Sequence, residues 1–166
     1  MDNAKIELLL KARAKSNRPF EATVQSDSMS PALFEGDVVM IQKQHDYAIG
    51  DVLVYPYYDE GVLIHRLLRK SETLLHCKGD NCYRIEEIAE NQVIGKAVSV
   101  NNETSIGPHG LNLKIVCWFS SHINKIFVKH NYRIDPVVKT VSYKVFRFLY
   151  LRRRPGKAKQ KKSSRE

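Results

Sequence analysis

The chain has 166 residues, 43% of them apolar and 27% charged, which is an ordinary composition for a globular protein. It contains no run of about 18 uncharged apolar residues, which excludes a predicted transmembrane helix. Its three cysteines lack a CxxC motif, which excludes a recognisable disulfide framework or zinc site. All of the net charge of +9 lies between residues 143 and 166, where ten basic residues accompany one acidic residue. The neutral remainder gives no reason to expect a polyanionic partner.

The first 20 residues predict a short amphipathic helix. Ile6, Leu9 and Leu10 recur at helical spacing between residues 4 and 15, and the sequence NRP at residues 17–19 ends the pattern. The apolar run is too short for a secretory leader, and no small-residue cleavage site follows it. We therefore expect the protein in the cytoplasm, with peripheral contact at the inner membrane face as a further option.

Residues 21 to 100 predict a compact antiparallel, barrel-like sheet, so that the fold class is mainly β with flanking helices. Turn residues such as Gly36-Asp37 and Gly50-Asp51 separate β-prone segments that follow one another closely. Pro56 favours an edge or a bulge in the third segment. The segments are 22–26, 37–43, 51–57, 61–70, 73–79 and 92–100.

After residue 101 the pattern becomes helical, with helices predicted at 111–130 and 136–151. The basic run at 152–166 predicts a disordered tail. With the apolar Phe146, Phe148, Leu149 and Tyr150, this segment would hold the protein on an anionic membrane, at about 1 kcal/mol per well-placed basic residue. A solvated tail after a packed helix explains the pattern equally well.

The segment VQSDSMSPALFEGDVVMI, residues 24–41, places Ser28 just past a predicted strand with Pro31 behind it. A serine becomes a nucleophile only with a base and with donors that hold the oxyanion. His65 is the best candidate for the base, because a strand with one dry face would normally carry Val or Leu there. From these residues alone, a satisfied strand histidine and a loop serine are the commoner explanations.

Five motifs that follow one another at short intervals shift the balance towards a catalytic role for Ser28 and His65. They are SDSMSP at 26–31, GDVLVY at 50–55, HR at 65–66, KGDN at 78–81 and VIGKA at 93–97. This combination resembles the signal peptidase and LexA-like serine peptidases (S24/S26 type). It is most similar to the branch of archaeal and endoplasmic-reticulum signal peptidases, which uses histidine as the base. The resemblance covers about residues 22 to 100.

The resemblance implies a serine endopeptidase without a metal or cofactor, acting on a peptide or a leader or signal segment. Ser28 would attack the peptide carbonyl, and His65 would take its proton and pass it to the leaving amine. The hydroxyl of Ser26 and the backbone N–H of Ser28 would form the oxyanion hole. These roles require the hydroxyl of residue 28 and the imidazole of residue 65 to lie within hydrogen-bonding reach, in a groove open to an extended polypeptide.

Two questions stay open at this point. The carboxylate that orients the histidine is Asp80, Glu86 or Glu87, with a turn role for Asp80 equally consistent with the sequence. The alternatives to a dedicated endopeptidase are a LexA-like self-cleaving regulator and a non-catalytic module that binds membrane or nucleic acid. About 20 residues before the sheet are too few for a DNA-binding module, so no specific nucleic-acid partner is expected.

Overall fold

The computed structural model describes residues 3–16, 18–58, 61–103, 106–131 and 136–150. Helix α1 (Asn3–Lys15) precedes the sheet, and helices α2 (Gly110–Lys129) and α3 (Pro136–Leu149) follow it. The strands are β1 (Phe20–Thr23), β2 (Val38–Gln42), β3 (Val52–Pro56), β4 (Val62–Lys70), β5 (Leu74–Lys78), β6 (Glu86–Ala89) and β7 (Gly95–Val100). The predicted tail at 152–166 lies outside the described residues.

The strands form one curled antiparallel sheet in the order β1-β2-β7-β3-β4-β5-β6, which confirms the predicted fold class. Two irregularities bend it, one in β2 between Met40 and Ile41 and one in β4 between Leu67 and Arg69. Strand β6 was not among the predicted segments, and β1 begins before the predicted 22–26. The sheet therefore carries one more strand than the sequence pattern indicates.

The two faces of the sheet carry different cores, because successive residues of a strand point to opposite sides. Leu53 lies opposite His65 in the β3–β4 pairing, on the face with a cluster rich in tyrosine. Val52 lies opposite Arg66 on the other face, where helical residues join the core. These residues are Leu10 of α1, Val116 and Ile123 of α2, Phe146 of α3, and Tyr150 immediately after α3. The neighbours His65 and Arg66 thus belong to different sides of the sheet.

The three helices share the core of the second face, so the C-terminal helices are packed against the sheet. Within the described part of the chain, none of the helices has the length and hydropathy needed to cross a lipid bilayer. The boundaries predicted for the four segments of the chain remain predictions.

Candidate active site

The serine-rich loop between β1 and β2 is anchored at its base and along one side. The Val24 N–H donates to the Asp37 carbonyl at 2.8 Å, and the Gly36 N–H donates to the Val24 carbonyl at 2.9 Å. Met29 and Leu33 are fully buried and make a helical turn, because the Leu33 N–H donates to the Met29 carbonyl at 3.1 Å. Residue 28 therefore sits immediately before a fixed turn.

The structure brings the two predicted serines together. The Ser26 hydroxyl donates to the Ser28 hydroxyl oxygen at 3.2 Å. Ser26 is exposed and Ser28 is half-buried. The serine loop thus presents two neighbouring hydroxyl groups at the border between solvent and core.

The KGDN segment, residues 78–81 at the end of β5, holds this loop in place through hydrogen bonds. The Asn81 N–H donates to the Ser28 carbonyl at 2.8 Å, and the Asn81 amide donates to both the carbonyl and the carboxylate of Asp27 at 3.3 Å. The Cys82 thiol also points to the Ser28 carbonyl, with Sγ at 3.9 Å from that oxygen. Two segments that lie more than fifty residues apart in the chain are held in register by these contacts.

His65 occupies the middle of β4 and is 3% exposed. Its Nδ1 lies 3.0 Å from Oε2 of Glu86, and the Tyr55 hydroxyl donates to the same oxygen at 3.3 Å. A carboxylate oxygen accepts in this hydrogen bond, so in the neutral form of the ring Nδ1 carries the proton and Nε2 is the basic nitrogen. Burial lowers the pKa of His65, but the adjacent Cys82 and Glu86 side chains outweigh it and raise the pKa to about 9.

Gly79 is the point where these groups meet. A Cβ added at this glycine would lie 2.6 Å from the Ser28 carbonyl oxygen and 2.8 Å from both Cys82 Sγ and His65 Nε2. No side chain larger than that of glycine fits there without displacing one of the three. The serine loop and the free nitrogen of the histidine therefore line the same small space.

The predicted contact between Ser28 and His65 is not made in this conformation. His65 Nε2 is buried and has no hydrogen-bond partner among the described residues, while the Ser28 hydroxyl is paired with Ser26. The structure therefore places the serine loop next to the histidine, but the Ser28 hydroxyl and His65 Nε2 do not form a hydrogen bond.

The three acids left open by the sequence occupy different places. Glu86, at 4% exposed, is the one that bonds His65. Glu87, on the other side of β6, is 3.3 Å from Nδ1 of His76. Strand β6 separates the two glutamates because it pairs with β5 and alternates its side chains. The strand was missed because its sequence, EEIA, is short and half acidic.

Asp80 belongs to a second buried network, on the face covered by the helices. Its carboxylate accepts from Arg66 through Nε at 3.0 Å and Nη2 at 2.8 Å. The Tyr150 hydroxyl, at the end of α3, donates to the same carboxylate. Burial opposes the charge on Arg66, but the Asp80 carboxylate raises the pKa of the guanidinium above its usual value. The geometry therefore gives Asp80 a structural partner and no bond to His65.

Lys78 lies beside this network and is 1% exposed. Its ammonium group donates to the Gly79 carbonyl at 2.9 Å and to the Ser120 hydroxyl at 3.4 Å, and it lies 5.6 Å from the ring centre of Phe146. Burial lowers the pKa of Lys78 to about 8. It pairs with Arg66 across the strands and so shares the face opposite to His65.

Comparison with known proteins adds one finding. A family model with the description Peptidase S24-like matches residues 3–98. The matched region takes in α1, nearly the whole sheet, the serine loop and every site residue that the sequence predicted. No curated protein matches the chain.

Proposed function

The chain belongs to the Peptidase S24-like family, and from this premise we propose that it is a serine endopeptidase in which Ser28 is the nucleophile and His65 the base. The observation that carries the proposal is the buried Nε2 of His65. This atom has no bonding partner among the described residues and lies against the same glycine as the Ser28 carbonyl. The substrate is a peptide or a leader or signal segment of a protein.

The first chemical step requires the Ser28 hydroxyl to change its hydrogen-bond partner. The Ser28 hydroxyl leaves Ser26 and turns towards His65 Nε2, which accepts its proton as Oγ attacks the peptide carbonyl. The imidazolium then gives that proton to the leaving amine, and an acyl-enzyme remains. Water, activated by the same nitrogen, hydrolyses the ester and regenerates the hydroxyl.

Three further groups support this reaction. The Ser26 hydroxyl, released from Ser28, and the Ser28 N–H stabilise the oxyanion, a contribution of about 3 kcal/mol for a single donor. Glu86 holds Nδ1 of His65 and stabilises the imidazolium that forms. We assign this orienting role to Glu86 rather than to Asp80, because Asp80 is already bonded to Arg66 and Tyr150.

The proposal is tested by cleavage of a mixed-sequence peptide library, read by mass spectrometry. Ser28→Ala and His65→Ala should each lower cleavage by at least about a thousandfold while the far-UV circular dichroism stays that of the parent. Ser30→Ala, in the same loop, is the matched control and should still cleave. Equal cleavage by the parent and by Ser28→Ala would contradict the proposal.

The same samples distinguish an endopeptidase from a self-cleaving regulator. For a regulator, the intact chain is lost at a rate independent of its concentration, and Ser28→Ala stays intact. For the endopeptidase proposed here, the chain persists while added peptides are cut.

We also propose that α2 and α3 rest on an anionic lipid surface. The two helices contain six basic residues and no acidic residue. They also expose several large apolar side chains, which suit insertion at the headgroup boundary. On α2 these are Leu111, Ile115, Trp118 and Ile126, and on α3 they are Val137, Val141 and Phe148.

Trp118 is the only tryptophan in the chain and is 61% exposed, so its fluorescence reports on this surface. Vesicles containing phosphatidylserine should shift its emission to shorter wavelength, and vesicles of phosphatidylcholine alone should not. High salt or the double variant Ile115→Asp/Phe148→Asp should abolish the shift. An unchanged spectrum with anionic vesicles at low salt would rule out the lipid contact.

A further inference from the structure

Cys82 stands apart from the other two cysteines of the chain. All three are free thiols, but Cys77 and Cys117 are buried whereas Cys82 is half-exposed. Burial raises the pKa of Cys77 to about 12 and raises the pKa of Cys117 as well. The two buried thiols therefore stay protonated and unreactive, since the thiolate is the nucleophilic form.

The thiol of Cys82 lies next to the free nitrogen of His65. A Cβ on Gly79 would be 2.8 Å from each of Cys82 Sγ and His65 Nε2, so the sulfur and the nitrogen are less than twice that distance apart. That nitrogen is buried and unpartnered among the described residues. An imidazolium beside a cysteine favours the thiolate, which is the reactive form of the side chain.

One feature makes this pair more than a packing contact. The carboxylate of Glu86 bonds the far side of the ring and stabilises the imidazolium. Cys82, His65 and Glu86 thus form a line of three groups that runs from the half-exposed surface into the core.

We propose that Cys82 is a modification site at which peroxides and alkylating electrophiles react, and that its modification switches off cleavage. With hydrogen peroxide, the Cys82 thiolate, whose proton has passed to solvent, attacks one oxygen, the O–O bond breaks, and the departing hydroxide takes a proton from solvent to leave as water. The thiol is oxidised to a sulfenic acid and the peroxide is reduced. The new oxygen lies towards His65 Nε2, where it accepts a hydrogen bond from the imidazolium and withholds the base from Ser28.

The effect on cleavage rests on the proposed function, but the modification itself does not. Iodoacetamide labelling of the folded parent chain, followed by peptide mass mapping, tests it without any substrate. Cys82 should react at least about tenfold faster than Cys77 and Cys117. It should also react faster in the folded chain than in the same chain unfolded in urea, because only folding places the imidazole beside it.

A thiol that is merely accessible gives the opposite result in urea, since unfolding removes all shielding and speeds the reaction. Slower labelling of Cys82 in the folded chain than in urea would therefore overturn the proposal. His65→Asn should bring the folded rate down to or below the urea rate, and equal rates in parent and variant would also overturn it.

The effect on activity has its own readout. Peroxide should inhibit peptide cleavage by the parent in proportion to the sulfenic acid trapped at Cys82, and a dithiol should restore it. Cys82→Ser, compared before and after the same treatment, should lose no activity. Equal inhibition of the parent and of Cys82→Ser would overturn the switch while leaving the labelling result in place.

Discussion

Oε2 of Glu86 lies 3.0 Å from Nδ1 of His65, and both side chains are buried. The acid comes from the start of β6 and the imidazole from the middle of β4, so two strands that are not neighbours hold the pair. The bond determines that Nε2 is the nitrogen that meets Gly79 and the serine loop. Loss of the carboxylate should therefore change the orientation, the tautomer and the pKa of the ring.

Glu86→Gln should shift the pH dependence of cleavage. His65 acts as a base only when neutral, so kcat/KM of the parent should rise with pH until about the pKa of 9. Without the carboxylate the pKa falls by about 1 to 3 units, and the rise moves to lower pH. The maximum should also drop by at least about tenfold, because a glutamine can donate to Nδ1 and reverse the tautomer.

A pH–rate profile measures both effects. Glu87→Gln is the matched control, since the neighbouring side chain is largely exposed and points to His76. Its profile should match that of the parent. A Glu86→Gln profile with unchanged position and height would show that this carboxylate does not tune the base.

The same pair should make folding stability depend on pH. The pKa of His65 in the folded chain, about 9, is above the unfolded value of 6.5. Its stabilising contribution is therefore complete below pH 6.5 and is lost as the pH rises through 9. Urea unfolding of the parent and of Glu86→Gln across this range should show that the difference in unfolding free energy between them shrinks as the pH rises. A constant difference would contradict the linkage.

The sequence predicted some parts of this site and missed others for identifiable reasons. The motif around Ser28 and the polar residue in an apolar strand at His65 are local patterns, and the family match confirms the peptidase family. The choice of Glu86 depends on a strand whose sequence is too short and acidic to be recognised. Once β6 is known, its alternation alone separates Glu86 from Glu87.

Long-range contacts explain the remaining features of the site that the sequence did not predict. Helical periodicity predicted α3 within a few residues, but nothing in that pattern shows that Tyr150 reaches a carboxylate 70 positions earlier in the chain. The place of Cys82 beside His65 likewise depends on how tightly β4 and the segment after β5 approach at Gly79. Periodicity indicates which face of a helix or strand is buried, but it does not indicate which residues pack against that face.

Gly79→Ala should disable the site. The added methyl group would lie 2.6 Å from the Ser28 carbonyl and 2.8 Å from His65 Nε2, so one of them must move. Such overpacking costs about 1 to 3 kcal/mol of stability, and we expect cleavage to fall by more than the loss of folded protein explains. Gly110→Ala is the control. Its φ of +58° makes alanine strained, but no atom lies within 4 Å of the new Cβ.

The two alanine variants should therefore differ in function more than in stability. Thermal unfolding and peptide cleavage measured on the same preparations decide this. If Gly79→Ala cleaves as well as Gly110→Ala, the space at residue 79 is not part of the active centre.

Lys78→Met should stabilise the chain near neutral pH. Burial lowers the pKa of Lys78 from 10.5 to about 8, so the folded state is penalised while the lysine is charged. In the parent, this penalty disappears as the pH rises from 8 to 10.5, which adds about 3 kcal/mol to the unfolding free energy over that range. Methionine carries no such penalty, although the loss of the bond to the Gly79 carbonyl offsets about 1 kcal/mol.

The measurement is the unfolding free energy of variant minus parent as a function of pH. This difference should be positive at pH 7 and decrease above pH 8, which separates Lys78 from the opposite trend of His65. Lys144→Met, at an exposed position of α3, should give a difference that is flat with pH. If the difference for Lys78→Met were also independent of pH, the charge on Lys78 would carry no free-energy penalty in the folded chain.

Tyr150→Phe should loosen the helical face from the active-site strands. Burial raises the pKa of Tyr150 well above its usual value, so its hydroxyl keeps the proton that it donates to Asp80, and it accepts from Arg66 at 3.0 Å. Phenylalanine keeps the packing but loses bonds to two charged groups, for an expected cost of about 1.5 to 3 kcal/mol. Tyr143→Phe, at a position of α3 that is 37% exposed, should cost less than about 0.5 kcal/mol.

Urea unfolding of the two variants gives the comparison, and peptide cleavage below the transition shows whether the network also positions the site. Arg66 follows His65 in β4 and Asp80 follows Gly79, so a displaced ion pair moves both sides of the space around Nε2. We therefore expect Tyr150→Phe to lower kcat several-fold with little change in the pH profile. Equal stability of the two variants would mean that the C-terminal helix is held by its apolar contacts and that its hydroxyl bonds are dispensable.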